Sequence, residues 1–246
     1  MVNNAAEKSL LVYARLAGFM YLFVMAAYLT GLFIVLHLVV PGNFAETARN
    51  ITASERLYRI GLSSQFIASW TTILLGGAFY ALLKPVDSIL ALFALLWRVG
   101  EAVLGAGIVV MPFIALSIYT GAASAFGVAE QRALVNLMLR GYAVGFYITV
   151  IFFSMGSIVF FYLLLKSRFI PRSLSAFGVM ASVLVPMVGF ASLIFPERAA
   201  ALTLGWAPMF VAEIATGLWL LIAGPNLEYW NNRQQEPRTT PDPVSR

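Results

Sequence analysis

The residues with the clearest capacity for chemistry are three charged side chains inside long apolar stretches. Arg98 and Glu101 stand three positions apart in one stretch, and Glu213 stands in another. A charge at bilayer depth costs roughly 2.5–3.5 kcal/mol on insertion scales, so it faces a protein interior and marks a candidate functional site. One arginine and two glutamates leave an excess negative charge, which a proton, an ion or a ligand would balance. The pattern predicts a site for a small molecule or a proton.

The two glutamates are predicted to lie at the same depth. Glu101 follows the expected helix start at Ser88 by thirteen residues, which places it roughly 20 Å from one bilayer face and ~10 Å from the other. Glu213 follows its helix start by six residues, about 9 Å from that second face. Other polar residues fall in the same half, so we expect a polar cavity in the outer half of the bilayer. The candidate ligand-binding residues are Arg98, Glu101, Glu213, His37, Gln65 and Arg140.

The residues alone leave three functional hypotheses open. The first, which we favour, is small-molecule or proton-coupled binding or transport through this cavity. The second is a non-catalytic membrane scaffold or accessory subunit, in which Arg98 and Glu101 pair as i,i+3 neighbours and Glu213 completes the neutralisation. The third and weakest is an intramembrane enzyme acting on lipid. No nucleophile motif, P-loop or zinc-protease motif accompanies the carboxylates, so no catalytic residue is predicted.

Composition limits the cofactors and partners. The chain has no cysteine and a single histidine, His37, which excludes thiolate, iron–sulfur and His-rich metal sites, and we expect no metal or cofactor. The formal charge of +5 lies mainly in loops and the C-terminal tail, which does not indicate nucleic-acid binding. The expected partners are the lipid bilayer and a small-molecule or proton ligand, and the oligomeric state stays open.

These side chains must be positioned by membrane helices. Apolar residues make up 61% of the chain and charged residues 11%, against about 25% charged in a soluble domain. Runs of about 20 apolar residues cross a ~30 Å hydrocarbon core. The sequence therefore predicts an all-α polytopic bundle over residues 1–225 and a disordered cytoplasmic tail over 226–246. The six predicted spans are approximately 12–40, 60–83, 88–117, 141–165, 174–195 and 207–224.

Local signals refine this layout. Asp87 is expected to cap the third span, and Thr52 with Glu55 has the spacing of a capping box before the second. Nine of the sixteen Lys and Arg residues fall on the side of the termini, six on the other side, and Arg98 lies in the membrane. This bias predicts a multi-pass protein of a bacterial inner membrane with both termini in the cytoplasm.

The third and sixth spans share a short pattern. Each contains V-x-E-x-x-x-G, with Glu101 and Gly105 in one and Glu213 and Gly217 in the other. A duplication of three spans, an odd number, gives two halves of opposite orientation, as in many transporters. The pattern therefore suggests a possible 3+3 inverted repeat.

Several segments together resemble a bacterial membrane family described as domain of unknown function 4386. The resemblance covers about residues 12–224. It is carried by Ala14 to Leu22, Glu55 to Gly61, Tyr80 to Asp87, Arg98 to Gly105, Gly141-Tyr142, Lys166 to Arg172, and Glu213 to Leu221. Members of this family often have an acidic residue midway along the second helix, where this chain has Ser69-Trp70-Thr71. The resemblance implies a six-helix membrane protein and no established activity.

Overall fold

A computed structural model describes residues 2–227 of the chain, and its side chains from Glu7 onward. The described part is helical and contains no strand. Its α-helices are α1 (Val2–Leu38), α2 (Phe44–Ala53), α3 (Glu55–Leu83), α4 (Ser88–Ile108), α5 (Val110–Tyr119), α6 (Val128–Ser167), α7 (Arg172–Ile194), α8 (Ala199–Leu202) and α9 (Ala207–Ile222). The predicted disordered tail lies almost wholly beyond Leu227, outside the described residues.

The prediction of an all-α bundle with six membrane spans is confirmed. Six helical segments are long and apolar enough to cross a bilayer: Glu7–Leu38, Glu55–Leu83, Ser88–Tyr119, Val128–Ser167, Arg172–Ile194 and Pro196–Ile222. Large apolar side chains such as Phe93, Met187 and Ile222 are exposed on the outside of these segments. An outer surface of this kind is stable against lipid tails and not against water.

The third span consists of two helices because it contains a proline. α4 ends at Ile108 and α5 begins at Val110. Pro112 has no N–H to donate to the Ile108 carbonyl four residues earlier, and its ring crowds that carbonyl. Prolines are the usual cause of such breaks, so the position of this one follows from the sequence.

The six spans form a closed ring around an interior space. Each span packs against the next in sequence, α1–α3, α3–α4, α4–α6, α6–α7 and α7–α9, and α9 returns to pack against α1. We call the membrane side at which α1 ends and α9 begins the distal side. The inverted repeat stays a prediction, since the order of the ring alone does not establish it.

Glycines bring α1 against both of its neighbours. A Cβ atom on Gly18 would lie 2.6 Å from the backbone oxygen of Gly217 on α9, and one on Gly31 would collide with the Gly61 carbonyl on α3. Small residues allow this backbone approach, which drives helix association in a membrane.

The helix caps agree with the sequence at one position and disagree at another. Asp87 Oδ1 accepts a hydrogen bond from the Leu90 N–H at 3.1 Å, which confirms the cap. That hydrogen bond, aided by Lys166, lowers the pKa of Asp87 below its usual value. The predicted capping box is wrong, because the Thr52 hydroxyl instead donates to the Tyr119 carbonyl at 3.2 Å. Thr52 thereby ties α2 to the end of α5.

Candidate functional site

A cavity of about 250 Å³ lies inside the ring and is lined by residues of all six spans. It lies in the half of the bundle toward the distal side, since Glu213 on α9 lines it six residues, about 9 Å, after Ala207. Most of the lining is apolar. The polar side chains that line it are Tyr21, Tyr28, Gln65, Ser69, Thr72, Arg98, Glu101, Tyr142, Thr149, Trp206 and Glu213.

Arg98 is packed into the wall of this cavity and is only 2% exposed. Two glycines make room for its stem, because a Cβ on Gly76 would lie 3.1 Å from Arg98 Cβ, and one on Gly156 would lie 3.0 Å from Arg98 Cδ. Its guanidinium carbon lies 4.9 Å from the centre of the Phe153 ring, and its Nη1 donates to Ser157 Oγ at 3.4 Å. The arginine on α4 is therefore fixed by packing against two other helices, α3 and α6.

Glu101 forms a close ion pair with Arg98 on the same helix face. Its Oε2 lies 3.1 Å from Arg98 Nη1, and its side chain keeps 14% of its surface exposed. The contact lacks the angle of a hydrogen bond, since Oε2 has no hydrogen-bond partner among the described residues. The positive charge of Arg98 therefore stabilises the Glu101 carboxylate, but Oε2 still lacks a hydrogen bond.

The side chain of Glu213 extends from α9 toward Arg98 and Glu101. It interacts electrostatically with Arg98 and Glu101, and it interacts with the Tyr21 hydroxyl of α1. Its Oε1 is buried and has no hydrogen-bond partner within the described part of the chain. Two carboxylates thus share one guanidinium, and an unsatisfied buried oxygen of this kind is costly unless a proton or a cation approaches it.

The distal part of the cavity is built from aromatic and amide groups. The Tyr142 hydroxyl donates to Gln65 Oε1 at 2.7 Å. The rings of Tyr28 and Trp206 both stack on the ring of Phe146, at centroid distances of 6.2 and 5.1 Å, respectively. Trp206 Nε1 is buried and makes no hydrogen bond to any described residue. This wall offers ring faces to an occupant.

The structure brings four of the six predicted site residues together, namely Arg98, Glu101, Glu213 and Gln65. His37 and Arg140 are exposed and do not line the cavity. Arg140 precedes Tyr142 by two residues, about 200° around the helix, so it points away when Tyr142 points inward. Depth alone could not reveal this, because depth carries no information on helix rotation. The ligand-binding role of all six residues stays a prediction.

Sequence reasoning missed the aromatic lining, above all Tyr21, Tyr28 and Trp206. Tyr21 and Tyr28 are seven residues apart in the sequence and thus share one face of α1. This spacing could have identified them as neighbours in the lining. Trp206 lies beside the start of α9, and tryptophans near helix ends usually contact the membrane interface. The fold turns it inward against Phe146 instead.

The serine and threonine hydroxyl groups that line the cavity are engaged in their own helices. Ser69, Thr72 and Thr149 donate to the carbonyls of Gln65, Ala68 and Gly145, respectively. None of them is held by a base as a nucleophile would be. Within residues 2–227 there is also no group of three His, Asp or Glu side chains suited to a metal ion.

The packing of Arg98 gives a testable difference between two adjacent glycines. We expect Gly76→Ala to lower the free energy of unfolding by about 1–3 kcal/mol, because the new methyl group would overpack Arg98 and Leu95. Gly77→Ala is the control, since a Cβ there meets nothing within 4 Å, and it should be neutral or slightly stabilising. Thermal unfolding of the two variants in detergent measures the difference, and equal midpoints would contradict the tight packing.

A comparison with protein-family models matches residues 16–224 to the family described as Domain of unknown function (DUF4386). No curated protein and no solved structure matches the chain.

Proposed function

This chain belongs to the DUF4386 family of proteins of unknown function, and from that premise we propose that it binds a small, positively charged molecule in the cavity and carries it across the membrane in exchange for a proton. The observation that carries the proposal is the excess negative charge at the end of the cavity. Glu101 and Glu213 both line it, and the single cation beside them, Arg98, is packed into the wall.

The charge arrangement favours a cation over an anion. Arg98 cannot turn toward an anionic occupant, because Gly76, Gly156 and Phe153 enclose its side chain. The carboxylates are less enclosed, and Glu213 Oε1 has no hydrogen-bond partner among the described residues. A cation near Glu213 would neutralise the excess charge, and a proton would do the same in its absence.

The remaining walls suit a cation with an apolar body. Ring faces attract positive charge, by about 0.5–2 kcal/mol depending on desolvation. Tyr28, Phe146 and Trp206 present such rings opposite the carboxylate end, and the other lining side chains are largely apolar. A strongly hydrated ion would gain little from these walls, whereas an organic ammonium group would use both ends of the cavity.

The orientation is also part of this proposal. With both termini in the cytoplasm of a bacterium, the distal side faces outward, and the cavity lies in the outer half of the inner membrane. Glu213 would then be close to the external solution and would exchange its proton there.

The proposal is tested by calorimetric titration of the wild-type protein in lipid nanodiscs. The probes are benzyltrimethylammonium, a permanent cation, and phenylmethanesulfonate, an anion of similar size. We expect the cation to bind at least tenfold more tightly than the anion. Equal affinities, preference for the anion, or no binding of the cation would overturn the proposed function.

A structural role is the second candidate, and the burial of Arg98 favours it. An arginine held between two glycines and an aromatic ring would also fasten α3, α4 and α6 together in a protein with no ligand. In that case Glu213 serves only to neutralise Arg98, and removing its charge should weaken the fold. The Glu213 variant described in the Discussion separates the two candidates.

A further inference from the structure

The occupant of the cavity has a route in from the lipid. Resting on the proposed function, we propose that the occupant is an amphipathic cation dissolved in the distal half of the bilayer, and that it enters sideways between α1 and α9. The seam between these two helices differs at its two ends.

The end of this seam that lies away from the distal side, which we call the proximal end, is closed by backbone contact. Gly18 on α1 lies against Gly217 on α9, where a Cβ would be 2.6 Å from the carbonyl oxygen. Leu22 packs over Gly217, with its Cδ2 atom 3.1 Å from the position of a Cβ there. No side chain separates the helices at this level, so nothing could pass.

The distal end of the seam is filled by side chains only. Met25 and Leu29 are seven and eleven residues after Gly18 and therefore share its helix face, and Phe210 is seven residues before Gly217 on the same face of α9. The two helices are the first and last of six successive spans and run antiparallel, so Met25 lies level with Phe210. All three side chains line the cavity, and Phe210 is also 40% exposed. One side chain thus separates the cavity from the lipid.

The other seams are closed by glycine contacts in the described structure. These contacts are Gly31 with Gly61 between α1 and α3, Gly105 with Ser69 between α3 and α4, Gly145 with Ile108 between α4 and α6, Gly189 with Ile151 between α6 and α7, and Gly205 with Val188 between α7 and the turn before α9. Glycine contacts hold helices at a fixed short distance. The long, unbranched Met25 and the single ring of Phe210 can move aside more readily.

The chemistry of this opening restricts what can pass. Met25, Leu29 and Phe210 offer no hydrogen bond, so a hydrated ion would lose its water there without replacement. A molecule already dissolved in the bilayer pays no such cost. Its apolar part would slide between the two helices, and its ammonium group would reach Glu213, which lies three residues beyond Phe210 on α9.

Single spin labels test the opening directly, because the chain contains no cysteine. Labels at Phe210→Cys and Met25→Cys are compared in nanodiscs for collision with oxygen, which concentrates in lipid, and with a nickel chelate, which stays in water. Val211→Cys, the outward-facing neighbour of Phe210 at 56% exposure, is the lipid control. Ser124→Cys, in the exposed loop after α5, is the water control.

We expect the Phe210 label to collide with oxygen within about twofold of the Val211 label and to be several-fold less accessible to nickel than the Ser124 label. Nickel access equal to that of the Ser124 label would overturn lateral entry. We also expect hexyltrimethylammonium to reduce the mobility of the Phe210 and Met25 labels and to leave the Val211 label unchanged.

The two proposals fail separately in these experiments. If benzyltrimethylammonium binds in the calorimeter but the Phe210 label is open to nickel, the proposed function stands and the route is wrong. If the label faces lipid but no cation binds or alters it, the seam exists and the proposed function, with its occupant, is wrong.

Discussion

Replacement of Arg98 by leucine is expected to lower the free energy of unfolding by about 3–5 kcal/mol, the usual cost of removing one partner from a buried charge cluster. Without the guanidinium, Glu101 and Glu213 would face each other with no cation beside them. The guanidinium contacts with Phe153 and Ser157 would also be lost. We expect a large drop in thermal midpoint and a low yield of folded protein, measured by fluorescence-detected size exclusion after heating.

The matched control is Arg59→Leu. Arg59 pairs with Glu55 of its own helix at 2.7 Å, but both side chains are exposed, so this pair contributes no more than about 1 kcal/mol. Adding Glu101→Gln and Glu213→Gln to Arg98→Leu should restore part of the stability, because the uncompensated charges are then gone. An Arg98→Leu protein as stable as the Arg59→Leu control would contradict the charge cluster.

The second large effect is expected for Glu213→Gln, which should weaken binding of benzyltrimethylammonium by roughly thirtyfold or more. Losing one partner of a buried charge pair costs about 2–5 kcal/mol, and about 1.4 kcal/mol corresponds to tenfold in affinity. Glutamine keeps the size of the side chain and can still interact with the Tyr21 hydroxyl. Thermal stability should be unchanged or higher, because the excess negative charge is removed.

This variant separates a binding site from a structural cluster. The structural hypothesis predicts the reverse pattern, a lower thermal midpoint with no specific loss of binding. Glu197→Gln is the control for the change of charge alone, since Glu197 is 65% exposed and does not line the cavity. A Glu213→Gln protein that binds the cation as the wild type does, or that unfolds at a clearly lower temperature, would favour the structural hypothesis.

Much of the fold followed from the sequence because membrane helices are specified by simple physical requirements. Lengths of about 20 apolar residues and the need to satisfy every backbone hydrogen bond leave few alternatives to a helical bundle. The Asp87 cap follows from local chemistry in the same way. The break near Pro112, which the predicted span 88–117 did not include, has a local cause as well. The capping box predicted at Thr52 is wrong because the Thr52 hydroxyl donates a hydrogen bond to the carbonyl of Tyr119, which is distant in sequence.

The charged part of the site was predictable for a similar reason, and the rest was not. Charges are so unfavourable in lipid that Arg98, Glu101 and Glu213 had to face inward, and equal depth placed them near each other. His37 and Arg140 satisfied the depth argument and still lie outside the cavity, because helix rotation decides which way a side chain points. The glycines that make room for Arg98, and the seam beside Phe210, depend on how pairs of helices meet, which periodicity in one helix does not reveal.

Competition between a proton and a cation tests the central claim most directly. The groups around Glu213 are Arg98 and Glu101 on α4 and Tyr21 on α1. A bound proton or a bound cation must therefore neutralise the negative charge of the two carboxylates, Glu101 and Glu213. The measurement is the affinity of wild-type protein for benzyltrimethylammonium at pH 8 and at pH 5, in nanodiscs of constant composition. We predict weaker binding at pH 5, because protons then occupy the carboxylates, and no such pH dependence in Glu213→Gln. Equal affinity of the wild type at both pH values, or the same pH dependence in the variant, would contradict this account of the cavity.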